Sequence, residues 1–170
     1  MITPAYCQVF ARYGRWMNER MYAALAQLDD ENRKRDRGAF FGSIHRTLNH
    51  LVWADSIWIS RFTSGSYAKR AYGTDLFDDF DALAREREAT DHAISAWAGQ
   101  LCDEWLGSTL TYRAASDGRD REMPAWIAAA HMFNHATHHR GQLTTLMKQA
   151  DVDPGVTDLP FMPGVMQAVD

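Results

Sequence analysis

Apolar residues recur three and four positions apart through four long segments of this chain, the spacing that puts them on one face of a helix. The first segment runs from Thr3, a capping residue followed by Pro4, to about Asp29. It carries Tyr6, Val9, Phe10, Tyr13, Trp16, Met17, Met21, Ala24 and Leu28 inward. The second spans Ser43 to Thr63, with Ile44, Leu48, Leu51, Trp58 and Phe62 as its stripe. The third spans Asp78 to Leu106 through Phe80, Leu83, Ile94, Trp97, Leu101 and Trp105, and the fourth spans Pro124 to Ala150. Between the third and fourth the period drops to two. Thr109, Thr111 and Arg113 alternate with Leu110, Tyr112 and Ala114, and Ser116-Asp117-Gly118 supplies a turn, so Ser108 to Met123 reads as a two-stranded hairpin.

The connections are polar. Asp30 to Gly38 is almost wholly charged and reads as a solvated link, and Ser64 to Asp75, with Gly65 and Gly73, reads as a loop. Asp151 to Asp170 holds Pro154, Pro160 and Pro163 and cannot form a long helix, but Leu159, Phe161 and Met162 are apolar enough to pack back. The expected fold is therefore all-α, a four-helix bundle with a short β-hairpin before the last helix, and one domain over residues 1–170.

Polar residues interrupt the stripes at a few places. Asp55 falls on the second helix's core face, where it must be ion-paired to a neighbouring element or belong to a site. Arg87 and Asp91 break the third stripe, as a paired interruption or as the lining of a pocket. Four of the seven histidines, His131, His135, His138 and His139, lie within nine positions of the fourth segment. Four residues span a little more than one helical turn, so His135 and His139 point the same way. His131 and His135 form a rival pair at the same spacing. The stripe Ala128, Met132, His135, His139, Leu143 and Leu146 is otherwise apolar, which favours an inward-facing second pair. Buried imidazoles need partners, and one divalent cation would satisfy both. His50 on the second helix is a candidate third ligand. His45 lies about 140° round from it and would not share the ion, and His92 is off its stripe and exposed.

Composition narrows the function classes. With 18 Lys and Arg against 22 Asp and Glu, the net charge is −4 and no basic block stands out. That excludes a phosphate-binding footprint and hence a nucleic-acid partner. Cys7 and Cys102, far apart and each within an expected helix, read as buried free thiols in a reducing cytoplasm. The Met1-Ile2-Thr3-Pro4 start lacks the basic and apolar regions of a signal peptide, and no apolar run is long enough to span a membrane.

Three runs carry a resemblance. Asn134-His135-Ala136-Thr137-His138-His139-Arg140-Gly141-Gln142-Leu143 resembles the C-terminal signature of the DinB/YfiT-like metalloenzymes. Leu48-Asn49-His50-Leu51-Val52-Trp53-Ala54-Asp55 is similar to that family's second-helix motif, and Asp158-Leu159-Pro160-Phe161-Met162 to its tail. The resemblance implies an up-down-down-up bundle and a divalent metal, zinc or nickel first, iron or manganese next, on His50, His135 and His139. It also implies a homodimer, and activity as a transferase or isomerase with a low-molecular-weight thiol such as bacillithiol, mycothiol or glutathione.

A site of three imidazoles and water is open, the catalytic form of a zinc centre. It suits a thiol-dependent transferase or a hydrolase. The zincin pattern is absent, because no Glu follows His131 or His135, and no general base is identified. A metal-binding or stress-related binding protein without turnover is the alternative, and a bundle whose histidines merely bond core neighbours is a third reading. Within the signature, Arg140 is expected to pair with an acid and Gly141 to mark a close approach of a neighbouring helix.

Overall fold

The structure is a computed structural model and describes residues 1–63, 75–115 and 117–166. Six α-helices and one hairpin are found among them: α1 (Pro4–Leu25), α2 (Asp30–Lys34), α3 (Ile44–Thr63), α4 (Phe80–Gln100), α5 (Asp103–Gly107), β1 (Thr109–Arg113), β2 (Asp120–Pro124) and α6 (Ala125–Gln149). A 3-10 turn, Leu159–Phe161, follows in the tail. No helix of the described residues is long and apolar enough to cross a membrane. The loop expected over Ser64–Asp75 falls, but for Asp75, outside the described residues, as does Ser116 of the hairpin turn.

Helix starts follow capping chemistry. The Thr3 hydroxyl accepts from the Tyr6 amide at 3.2 Å with Pro4 next in line, and the Asp79 carboxylate accepts from Ala82 N at 2.7 Å. Asp29 accounts for a departure from expectation. Its carboxylate accepts from Asn32 N at 2.7 Å, so it caps a new helix instead of ending α1, which stops at Leu25. The charged stretch after it, expected as a plain solvated link, therefore holds α2, with Lys34 2.8 Å from Asp30 one turn back.

The third segment is also two helices. The chain extends at Leu101, and Cys102 becomes the exposed cap residue of α5, not a buried thiol. The break lets Trp105 turn back onto Phe62 (5.3 Å between ring centroids) and Trp97 (5.6 Å), and it buries Leu106 completely. A continuous helix would have left those apolar groups facing elsewhere, and aromatic burial is among the largest single contributions to a core. β1 and β2 pair antiparallel with Leu110 opposite Met123, and Gly118 takes the positive φ (68°) that the tight connection demands. In the tail Met162 is buried as expected, whereas Phe161 is left exposed.

Contacts between helices give their directions. Tyr22 stacks on Phe80, while Cys7 and Ala11 share a cluster with Trp97 and Ala98, so α1 and α4 are antiparallel. Asp55 meets Arg87 and Phe62 meets Trp97, numbers rising together, so α3 and α4 are parallel. His50 meets His139 and Trp58 meets His131, making α3 and α6 antiparallel. Tyr6 meets Phe133 and Tyr13 meets Arg140, making α1 and α6 parallel. The result is the up-down-down-up bundle. α1 and α3 each pack on both α4 and α6 and so stand at opposite corners.

Two apolar halves fill it. One gathers Met17, Met21, Leu25, Leu48, Leu83, Leu143 and Met147; the other gathers Cys7, Phe62, Trp97, Leu106, Met132 and Phe133. Between them lies a buried polar belt. Arg87 reaches Asp55 at 2.7 Å and Asp91 at 2.8 Å, and Asn18 Nδ2 donates to Asp91 Oδ1 at 2.9 Å. Asp55 is thus a structural ion pair, and Arg87 and Asp91 interrupt their stripe because they complete the belt. Burial pushes the Asp55 carboxyl up against the pull of Arg87.

Candidate metal centre

α3 and α6 run antiparallel side by side, so residues chosen on their facing stripes meet across the bundle. His50, His135 and His139 do so through the same ring atom. The Nε2 atoms lie 3.3 Å (His50 to His135), 3.2 Å (His50 to His139) and 3.1 Å (His135 to His139) apart. Three nitrogens held at about 2.0–2.1 Å from one tetrahedral centre would be roughly 3.3 Å apart, so the observed triangle is the right size for one divalent ion. Among the described residues, this trio is the group of His, Cys, Asp and Glu side chains that converges closely enough to hold a metal.

The protonation pattern points the same way. The Gln142 amide donates through Nε2 to His138 Nε2 at 3.2 Å and turns Oε1 toward His139 Nδ1 at 2.8 Å. His139 therefore carries its proton on Nδ1 and presents an Nε2 lone pair to the triangle. With that nitrogen unable to donate, at most two of the three close contacts can be hydrogen bonds. A central cation satisfies all three.

Burial keeps these rings neutral. It lowers His135 to about 3, with the neighbouring imidazoles His139 and His50 adding to the effect. His50 is lowered to about 4, by burial and then by His139. Burial also lowers His139, partly offset by its bond to Gln142. Neutral imidazole is the ligating form.

One side of the triangle is roofed. Phe41, from the turn before α3, stacks on His50 at 4.0 Å and lies 5.4 Å from His139. The other side opens on a cleft of about 250 Å³, lined by His50 and His135 together with Trp53, Trp58, Arg61, Tyr112 and His131. His131, the rival of His139 by spacing, is not in the triangle. Its ring packs edge-on against Trp58 at 5.1 Å and forms part of the cleft wall, where burial and Arg61 lower its pKa. His45, buried and bonded through Nε2 to the Phe77 carbonyl at 2.8 Å, stands apart from the triangle, and His92 is exposed as expected.

Two expectations for the signature run fail. Arg140 is buried without a carboxylate within ion-pair distance among the described residues; it donates to Thr137 Oγ1 at 3.1 Å and lies over the Tyr13 ring. Gly141 is exposed, and among the described residues a Cβ there would meet nothing within 4 Å, so no described helix approaches it closely.

Several residues around the triangle and its cleft were given no role there by the sequence reading. Gln142 stands three positions after His139, a spacing that alone suggests contact. Ala54, Trp58 and Arg61 follow His50 by four, eight and eleven positions, one stripe of α3. Phe41 has no such signal, because only the turn geometry brings it over His50.

Comparison with known proteins agrees with this architecture. The chain is 24% identical over 162 residues to Protein DinB of Bacillus subtilis (strain 168), covering 86% of this chain and 87% of that one. It is 29% identical over 143 residues to the uncharacterized protein YrdA of the same organism, covering 78% and 76%. A crystal structure of a DinB-like protein from Bacillus cereus ATCC 10987 superposes with a TM-score of 0.54 at 23% identity, over 92% of this chain and 95% of that one, and shares the fold. The sequence pattern of the DinB family matches from residue 1 to residue 166, nearly end to end, and the chain belongs to that family.

Proposed function

We propose that this protein is a divalent-metal enzyme, a transferase acting with a low-molecular-weight thiol, whose ion is held by His50, His135 and His139. The observation that carries the reading is the triangle of Nε2 atoms, 3.1 to 3.3 Å on a side, roofed by Phe41 and open to a cleft. A bound divalent ion, zinc or nickel foremost, would hold a thiol as its thiolate near neutral pH.

The chain's own part is to present three neutral imidazoles, to orient His139 through Gln142, and to leave one approach open. No Asp or Glu of the described residues lines the cleft. A hydrolase needs a base to manage the proton of water, a part that in this lining falls to the neutral imidazole of His131, whereas a thiol held by the ion as its thiolate needs none. The reading brings with it a cytoplasmic homodimer, which light scattering and cell fractionation test.

The experiment is elemental analysis of the purified protein, followed by assay against thiols and electrophiles. About one divalent ion per chain is expected, lost in each of His50→Ala, His135→Ala and His139→Ala. A chain that stays metal-free after exposure to zinc and nickel overturns the proposal. A chain that holds its ion but turns over no thiol with any electrophile supports the non-catalytic metal-binding alternative.

A further inference from the structure

The cleft beside the three imidazoles carries a cation that the ion-binding reading does not use. Arg61 projects from α3 three turns beyond His50, and its guanidinium rests against two rings that also touch each other, 4.5 Å from the Trp58 centroid and 4.3 Å from that of Tyr112. Tyr112 stands on β1, so hairpin and helix together fix the position of the charge. Among the described residues one hydrogen bond, from Nη2 to the Arg113 carbonyl at 3.4 Å, occupies one of its five N–H donors. No carboxylate of the described residues pairs with it.

Arg121, the other cation of the lining, is engaged by Asp117 at 2.7 Å. The described lining therefore holds one uncompensated positive charge. No other acceptor among the described residues takes the remaining N–H groups of Arg61, and a planar guanidinium receives a carboxylate through two parallel hydrogen bonds. Among the described residues this guanidinium carries the free charge at the outer end of the cleft, which a carboxylate meets one for one, while the charge of a bound ion lies at the opposite end. The cleft, at about 250 Å³, is near the lower end of ligand pockets, and the indoles of Trp53 and Trp58 offer an apolar wall.

We propose that this cleft takes a small monocarboxylate, its carboxylate forked on Arg61, its body against Trp53 and Trp58, and its opposite end at the three imidazoles. The substrate class rests on the metal-enzyme reading above; the anion site itself stands on Arg61 and its two rings.

The test is calorimetric titration of the metal-loaded full chain with benzoate and with benzamide, its uncharged analogue. Benzoate is expected to bind at least tenfold more tightly than benzamide. Arg61→Gln removes that difference, and Arg61→Lys, a point charge without the fork, restores part of it. Equal binding of the two probes, or a benzoate affinity indifferent to Arg61→Gln at unchanged metal content, overturns the proposal. Should Arg61→Gln fail to fold by circular dichroism, the benzoate-to-benzamide ratio on the unaltered protein decides alone. Repeating the titration after chelation separates the two readings. A chain that takes up no ion yet holds benzoate on Arg61 sinks the metal enzyme and keeps the anion site. A chain that holds its ion with no role for Arg61 does the reverse.

Discussion

Gln142 is the residue on which the state of His139 turns. Its oxygen, 2.8 Å from Nδ1, holds the proton there and aims the Nε2 lone pair at His50 and His135. Partners of this kind fix ring orientation and ligand basicity, and their loss costs about 10–100-fold in metal affinity. Gln142→Ala is accordingly expected to weaken metal binding by that factor in a chelator-competition titration. The far-ultraviolet circular dichroism should stay unchanged, because Gln142 sits on the half-exposed side of α6. A full-affinity variant would show that the triangle holds itself. His135 and His139 were legible as a pair because helical spacing plus an apolar stripe constrains where a side chain points, while His50 joined them through the family resemblance. The role of Arg140 was not legible. A charged residue on a core face announces that it needs a partner, but its spacing does not say whether that partner is an acid, a hydroxyl or an aromatic ring. Here Thr137 and Tyr13 fill the role.

Between elements, the polar belt joins α1, α3 and α4 where the two apolar halves meet. Arg87, 3% exposed, stands between Asp55 and Asp91, and Asn18 closes the chain from α1. Removing one member of a buried ion pair strands the others, at a cost of about 3–5 kcal/mol. Arg87→Met, which keeps the volume and deletes the charge, should lower unfolding free energy in urea by that amount; a loss below about 1 kcal/mol would mean that the aspartates are rescued by water or protonation. The belt explains why the third stripe looked broken in sequence. Polar residues at matching depth on three helices are only recognisable as one feature once the helices are docked. The split between α4 and α5 was hidden for a related reason. Leu101 and Trp105 continue the helical period, so pattern alone runs straight through Cys102, and the packing of Trp105 and Leu106 against α3 and α6 decides otherwise. The four long stripes and the alternation of the hairpin were legible in the sequence, whereas the directions of the helices came with the family resemblance, because an apolar face does not say which way its helix runs.

At the scale of the whole molecule, the three imidazoles tie stability to both protons and metal. In the unfolded chain His50 and His135 titrate near the ordinary value of 6.5, whereas folded they titrate at about 4 and about 3. Below pH 6.5 the unfolded chain therefore binds more protons than the folded one, and stability rises with pH wherever that holds. The sign is fixed: chelated protein should lose stability as pH falls from 6.5 toward 4, and keep it from 6.5 to 8. His135→Asn removes one of these groups and should flatten the profile in thermal melts. An unchanged slope would mean that the acid sensitivity comes from elsewhere. Metal adds a second linkage with the same sense. An ion that binds the folded trio and not the unfolded chain stabilises by about 2.7 kcal/mol at a hundredfold excess over its dissociation constant. Unfolding then releases the ion as well as taking up protons, so metal-loaded protein should melt higher than chelated protein at pH 7 and converge with it as the imidazoles protonate. Melting curves measured with zinc and with chelator at pH 7 and pH 4.5 test both linkages at once. A gap that persists undiminished at the lower pH would show that the stabilising ion sits somewhere other than on these three rings.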